Sequence, residues 1–592
     1  MTILGLSFFY HDAAAALVRD GQLVAACAEE RFSRRKHDPE FPGGAVAYCL
    51  KQAGMTVEQV DRIVFYEKPL VKFDRILSCA LGAWPHSYKS FLKAVPIWMK
   101  DRIRLRRYIQ EKLQTDKEIF FCGHHMSHAA SAFLVSPFEK AAIITADGVG
   151  EWDTTCIGYG DGAKIVLEKK IEFPHSVGLF YSALTAYLGF EVNDAEWKVM
   201  GLASYGEPKY ADQFRQLVDI KPDGSFRLNL DYFAHHWSES TMLHHWERLF
   251  GQPPRQPEAA LSRFHYNVAR SGQAVVEQIM TGMAATARKR YGFDALCIGG
   301  GVGLNSVANW QILRQGTGFK NIFIQPAAGD DGGALGAAFW MWNCVMDKPR
   351  SFVMRHAFWG PEYTDEEIAS VLDRLGAKYD VLARAPLIEE TVKALARDEV
   401  VGWFQGRQEF GPRALGSRSI LANPGNPKMK DIINAKVKFR EWFRPFAPSV
   451  LKEAAHLYFE MPEGFDSPFM LLVPQVRPEW RTKLPAITHE DGTGRVQTVE
   501  RDIAPLYYDL IQRWSEVSGA PVVLNTSFNV RGEPIVTTPE NAYQTFMRTG
   551  MDVLVMGGFM LRHEDQPMDV DRAGRESVDW ERKQAPAVVP AG

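Results

Sequence analysis

The apolar positions fall into short runs separated by glycine-rich turns. Residues 3–8 and 22–28 are two such runs, joined through Arg19-Asp20-Gly21, and predict a hairpin at the start of the chain. The runs at 119–122 and 141–146 predict buried strands. A long helical region is expected over 258–291, then a strand at 295–299, a glycine-rich turn and a helical run at 304–314. A further strand at 321–325 leads into the glycine-rich segment AAGDDGGALGAAFW. Strands, glycine turns and helices therefore alternate, which predicts an α/β architecture. The apolar stretch 92–100 is short and broken by proline, and reads as a local packing feature.

The pattern also shows a weak internal echo. A strand ending in a glycine-rich turn occurs near 145–150 and again near 298–303, as a duplicated, actin-like fold around an ATP cleft would give. Near 346–395 the pattern breaks, and a new apolar run begins at 399–404. The 592 residues exceed what one core usually holds. The expected organisation is a duplicated first domain over 1–345, a connecting segment over 346–395, an α/β second domain over 396–572 and a disordered Pro/Ala-rich tail over 573–592.

Charge and composition narrow the classes. A net charge of −3 gives no electrostatic reason to expect nucleic-acid binding. No run of 18 uncharged apolar residues appears, and the N-terminus lacks a basic segment, so neither a membrane span nor a signal peptide is expected. Seven cysteines are scattered without a C-x-x-C pair, which reads as a reduced, cytoplasmic chain. The charged run 29–37 is either a solvated face or a loop facing substrate or phosphate.

In the first domain, His124 and His128 stand at i and i+4, one face of a helix, a spacing that suits two ligands to one metal as well as a structural pair. Asp147 closes a buried strand and Asp330 lies between a strand and a helix. A buried carboxylate is costly unless paired or metal-bound. Two imidazoles with two carboxylates suit iron(II), manganese or zinc. Glycine loops containing Gly148, Gly150, Gly300 and Gly301, the last followed by Asn305, are candidates for nucleotide phosphates or for tight strand–helix packing. Lys198 is a phosphate contact or a surface lysine, and His11 a base or a hydrogen-bonded turn residue.

In the second domain, Arg407, Arg413, Arg418, Lys436, Lys438, Arg440 and Arg444 crowd a short stretch among aromatics and prolines. Guanidinium forks suit phosphate and carboxylate oxygens, so a small-anion pocket is favoured over a nucleic-acid groove. Arg495 lies in a later loop, and Asn525, Thr526 and Ser527 follow a strand, where they would donate to phosphate or cap the turn.

Five motifs taken together resemble one family: GHHMSHAASA at 123–132, KVMGLASYG at 198–206, EFGPRALGSRSIL at 409–421, FRPFAP at 443–448 and LNTSFN at 524–529. It is the O-carbamoyltransferase family grouped with nodulation protein U and the cephamycin and aminoglycoside carbamoyltransferases. The likeness covers about residues 2–570. It implies a metal-binding first domain similar to the actin-like tRNA threonylcarbamoyl transferases and a second similar to the YrdC-type carbamoyl-adenylate formers. By that resemblance Arg413, Lys438, Arg444 and Asn525 would hold carbamoyl phosphate, and Arg418 and Arg495 would contact phosphates or nucleotide. Arg440, Thr526 and Ser527 complete the candidate substrate-binding set. His124, His128, Asp147 and Asp330 would hold the metal, iron(II) foremost, with zinc or manganese as alternatives, and ATP would come with magnesium.

The implied reaction is transfer of a carbamoyl group, activated as carbamoyl-adenylate, to a hydroxyl of a small natural-product acceptor, as in antibiotic biosynthesis, with His11 as base. A homodimer is compatible with the resemblance. Acceptor contacts are expected within 66–118, at Tyr66, Lys68, Trp84 and Trp98. The competing readings are an actin-like small-molecule kinase, a tRNA threonylcarbamoyl transferase and a nucleotide-binding regulator.

Overall fold

The computed structural model describes residues 1–98, 102–238 and 240–567; the tail expected to be disordered lies outside them. The first half holds two sheets of the same topology. In the first, β1 (Thr2–Ser7), β2 (Ala14–Arg19) and β3 (Gln22–Ala28) form an antiparallel meander. Then β4 (Arg62–Phe65) pairs parallel with β1, and β5 (Ile119–Phe121) parallel with β4. In the second, β6 (Lys140–Ala146), β7 (Asp153–Asp161) and β8 (Lys164–Glu172) repeat the meander. A small hairpin, β9 (Val218–Ile220) and β10 (Phe226–Leu228), stands apart. Then β11 (Ala295–Gly299) pairs parallel with β6, and β12 (Asn321–Ile324) parallel with β11. The strand orders 3-2-1-4-5 and 8-7-6-11-12 correspond element for element. This is the duplicated actin-like arrangement.

The opening hairpin differs from expectation. Residues 22–28 pair with Ala14–Arg19, and β1 pairs with that same strand. The run AAALVR has little β-branched character to mark it as a strand; its register on two neighbours supplies what propensity does not.

Each repeat ends in a helix that crosses to the other sheet. His124–Phe133, after β5, packs on β6 and β11, while Asp330–Phe339, after β12, packs on β1 and β2. The two helices also pack on each other. Every residue of Asp330–Phe339 is buried, although three of its ten residues are glycine. Glycine costs a helix about 1 kcal/mol each, so packing holds this one. The contact needs small residues: a Cβ on Gly336 would sit 1.9 Å from the Ser127 carbonyl oxygen.

The second half is built on β13 (Asp380–Val381), β14 (Val401–Phe404), β15 (Arg418–Ala422), β16 (Ala447–Leu451), β17 (Gln497–Val499), β18 (Val522–Ser527), β19 (Val553–Met556) and β20 (Phe559–Arg562). They form one mixed sheet in the order 13-20-19-14-15-18-16-17. Helices Arg384–Ala396 and Pro505–Ser518 pack together on it, joined by Trp403 and Trp514 in a common apolar cluster. Part of the expected connector thus belongs to this layer, since β13 pairs with β20. Arg407 fastens the halves by donating to the carbonyls of Val24 and Trp359 and to the Tyr48 hydroxyl. Among the described residues no helix is long and apolar enough to cross a membrane.

The packing gives a first prediction. Gly336→Ala lowers the unfolding free energy by about 1–3 kcal/mol through overpacking, visible as a lower thermal midpoint; an unchanged midpoint would contradict the close helix contact.

Candidate active site

The crossing of the two helices brings the first candidate group together. The N-terminal turns of His124–Phe133 and Asp330–Phe339 meet beside Asp147, which follows β6. One ligand atom each from His124, His128, Asp147 and Asp330 lies within 4.8 Å of the other three. His124 Nε2 stands 2.9 Å from Asp147 Oδ2, 3.1 Å from His128 Nε2 and 3.7 Å from Asp330 Oδ1. Burial would lower both imidazoles, but hydrogen bonding to Asp147 and the nearby carboxylate charge outweigh it. His124 is pushed up to about 10, and His128 rises above its ordinary value. Asp147 is held well below the carboxylate range, against burial, by the same two histidines. Asp330 Oδ1 is buried with no hydrogen-bond partner. Two imidazole nitrogens aimed at each other and an orphaned carboxylate oxygen fit a first-row divalent cation.

Surrounding groups fix these ligands. Tyr66 donates to Asp330 Oδ2 at 3.3 Å, and the Glu67–Lys72 pair (2.6 Å) lies 3.8 Å from His124 Nδ1. Glu151 accepts the His124 backbone N–H at 3.0 Å, an anion at a helix N-terminus. Nothing in the spacing of Glu67 or Glu151 announces these roles, because both act across strand ends.

Beside this group, Asp12 bridges two histidines, accepting from His11 Nδ1 at 2.6 Å and from His37 Nδ1 at 2.8 Å. His37 Nε2 and Lys36 both reach Asp194 Oδ1, and His11 Nε2 donates to the Asn193 carbonyl. Burial opposes charge on His11, but Asp12 and the Asn193 carbonyl push it up to about 10. His11 is therefore an imidazolium with both nitrogens engaged, and a base role requires Nε2 to give up both the carbonyl and its proton.

The second candidate group is a cluster of cations. Among the described residues no carboxylate lies within ion-pair distance of Arg413, Lys438, Arg440 or Arg495, whereas Arg444 meets Glu441 at 2.6 Å. Burial, compounded by Arg440 and Arg444, holds Lys438 well below its ordinary 10.5. Burial also lowers Arg413 and Arg495, the latter further through Arg413 and Arg440. Lys438 donates to the Asn529 carbonyl at 3.0 Å and to Asn529 Oδ1 at 2.8 Å. Arg440 and Arg444 lie over the rings of Phe446 and Trp197 at 4.6 and 4.1 Å. Buried Asn525 donates to Ser449 Oγ at 3.0 Å, leaving its own Oδ1 without a partner. Such crowding of unneutralised cations is relieved by an anion.

Both groups open into one cavity of about 750 Å³. Its lining runs from Asp147, Asp330 and His11 through Lys198, Gly148, Gly301 and Asn305 to Arg413, Lys438, Arg440, Arg444, Arg495, Asn525, Thr526 and Ser527. Several candidates lie elsewhere. Arg418 does not line the cavity: its guanidinium is spent on the carbonyls of Pro361, Gln405 and Gly406, each at 3.0 Å, over the Phe404 ring. Gly150 and Gly300 also lie off the lining. A Cβ on Gly150 would sit 2.6 Å from the His124 ring, and Gly300 packs against the Ala146 backbone, so both are packing glycines. Lys198 is paired with Glu441 at 3.0 Å. Tyr66, Lys68, Trp84 and Trp98 are not on the lining, and Tyr66 instead supports Asp330.

The profile of a carbamoyltransferase N-terminus fits residues 2–339, and that of a carbamoyltransferase C-terminus fits residues 392–563. The chain belongs to the carbamoyltransferase family. This carbamoyltransferase is 46% identical over 600 residues to the uncharacterized protein sll1178 of Synechocystis sp., covering 95% of this chain and 97% of that one. It is 37% identical over 561 residues to nodulation protein NolNO of Sinorhizobium fredii, covering 94% and 79%. Among solved structures, component A of the (R)-2-hydroxyglutaryl-CoA dehydratase of Acidaminococcus fermentans aligns with a TM-score of 0.32 at 14% identity, over 57% of this chain and 97% of that one.

The electrostatics of the cation cluster set a pH dependence. Guanidinium groups keep their charge, so Lys438 is the cluster member that sheds its proton. Its charged form costs stability that is fully present below its depressed pKa and fades as pH rises from there to 10.5. An anion favours the charged form. Sulfate, whose own charge is constant, is therefore expected to bind more weakly as pH rises through that window, with proton uptake in calorimetry. Lys438→Met should bind sulfate weakly at every pH, without the slope; a wild-type affinity flat over the window contradicts the assignment.

Proposed function

We propose that this carbamoyltransferase activates a carbamoyl group with ATP and passes it to a hydroxyl of a small natural-product acceptor in the cytoplasm. The continuity of the cavity supports this reading most strongly: a cation-lined pocket at one end and a histidine–carboxylate group at the other share one space.

Carbamoyl phosphate would lie with its phosphate among Arg413, Lys438 and Arg444, beside Asn525. Hydrolysis of its C–O–P linkage gives carbamate and phosphate. A carbamate oxygen then bonds the α-phosphorus of ATP, brought with magnesium, and pyrophosphate leaves with the electrons of the broken P–O bond. Arg440, Arg495, Thr526 and Ser527 surround the same space and would stabilise the transferring phosphoryl oxygens. Carbamate alone is a poor electrophile, and adenylation supplies AMP as leaving group.

At the other end of the cavity the acceptor oxygen bonds the carbamoyl carbon, the C–O bond to AMP breaks, and AMP departs. His11, once deprotonated and released from Asn193, would take the hydroxyl proton while Asp12 holds its Nδ1–H in place. Gly148, Gly301 and Asn305 line the path along which the adenylate would lie, with Lys198 facing the cation cluster. A divalent cation held by His124, His128, Asp147 and Asp330, iron(II) foremost, with zinc or manganese as alternatives, would supply Lewis acidity to the carbamoyl or phosphoryl oxygen.

The test is the nucleotide product. With ATP, magnesium and carbamoyl phosphate, the protein should form AMP and pyrophosphate only when carbamoyl phosphate is present. ADP formed without it would point to a kinase and remove the adenylating step. Within the same assay Arg413→Ala should slow pyrophosphate release by about 100-fold or more, while His124→Ala retains it and loses transfer to an added acceptor. Equal loss of pyrophosphate release in both variants would contradict the division of labour.

A further inference from the structure

The charged run 29–37 crosses from one half of the chain to the other. Neither sequence expectation describes it fully: two of its charges, Arg31 and Arg34, are turned inward, onto backbone of the second half. Arg31 is 4% exposed, and its Nη2 donates to the Gly411 carbonyl at 2.8 Å, two residues from Arg413. Arg34 donates from Nη1 to the Ile535 carbonyl at 2.6 Å and from Nη2 to the Pro534 carbonyl at 2.9 Å. That second loop leads straight to the cation cluster. The neighbouring Glu533 carbonyl accepts from Asn529 Nδ2 at 2.7 Å, and Asn529 Oδ1 accepts from Lys438. At its other end the run delivers Lys36 to Asp194 and His37 to both Asp12 and Asp194. Glu30 ties the two ends together, accepting the His37 backbone N–H at 3.0 Å and lying 3.2 Å from Arg31 Nη1.

Glu30, Arg31, Lys36 and His37 line the cavity, and so do the loops 411–414 and 529–535 that Arg31 and Arg34 hold. The strap and these loops therefore form a common wall beside both reactive ends. Arg34 holds its loop by guanidinium–carbonyl hydrogen bonds, whereas Arg31 also pairs with Glu30, so Arg34 can be removed, and Arg31 replaced by lysine, without leaving Glu30 uncompensated.

We propose that Arg31 and Arg34 are positioning residues that keep this wall shut, so that the carbamoyl-adenylate formed at the cation cluster is withheld from water until an acceptor arrives. The inference rests on the adenylating reading above. When the wall is loosened, a water oxygen bonds the carbamoyl carbon, the C–O bond to AMP breaks, and AMP leaves with the electron pair. The carbamic acid so formed decomposes to carbon dioxide and ammonia, and the ammonia takes up the proton. ATP is then consumed without an acceptor.

The experiment follows AMP release by the full-length protein with ATP, magnesium and carbamoyl phosphate and no acceptor present. Arg34→Ala is expected to raise the steady rate about fivefold or more over wild type, and Arg34→Lys, which can reach one carbonyl at a time, to lie between. Arg35→Ala, whose side chain is 67% exposed, is the neighbouring control and should match wild type. Damage to the fold would lower the rate, so a rise accompanied by an unchanged thermal midpoint is not a structural effect. Arg31→Lys, changing the buried arm independently, should raise the rate in the same direction. Variants that release AMP at or below the wild-type rate overturn the strap while leaving adenylation standing. A wild type that forms no carbamoyl phosphate-dependent AMP overturns the adenylating reading and this inference with it.

Discussion

Everything at the reactive end of the first half depends on how closely two buried helices approach. Each belongs to one repeat and packs on the sheet of the other, and small residues let their backbones nearly touch where Gly336 meets Ser127. That exchange places the first turn of one helix, with its two histidines, against the first turn of the other, with Asp330. A duplicated fold whose helices stayed on their own sheets would leave the same four side chains on separate surfaces. The geometry of the candidate metal site is a by-product of the packing, and its rigidity is that of the core itself.

The second determinant is charge held without its partner. At one end of the cavity carboxylates and imidazoles share protons among themselves; at the other, lysine and arginines are buried beside carbonyls and aromatic faces. The energetic cost of the latter is large and is borne by the surrounding fold. An anion among them would offset that cost by pairing with the arginines and restoring the charge of Lys438. The same cavity joins these cations to the histidine–carboxylate group at its other end.

Much of this was legible in the residue order, for physical reasons that differ from element to element. Spacing of four placed His124 and His128 on one helical face, and carboxylates at the ends of buried strands marked Asp147 and Asp330. Local signals sufficed because each pointed to one strand end or one helix. Ala14–Arg19 was missed because alanine carries little strand preference, and its pairing is set by two distant neighbours. Arg418 looked like an anion ligand because its partners, the carbonyls at 361, 405 and 406, are backbone atoms with no signature in the sequence. The His11–Asp12–His37–Asp194 network was illegible in the same way, since it joins segments far apart in the chain. The charged run 29–37 was ambiguous because polarity alone does not distinguish a side chain facing water from one facing carbonyls.

The order in which the duplicated fold presents its ligands bears on how the protein is made. His124, His128 and Asp147 come from the first repeat and the opening strand of the second, whereas Asp330 opens the helix that finishes the second repeat. A growing chain leaving the ribosome therefore carries three of the four groups long before it acquires the last. The two histidines cannot be locked in place until the Asp330–Phe339 helix docks against them. Completion of the candidate metal site is in this way tied to completion of the whole first half, and a nascent chain carries only an unfinished, open set of the four groups.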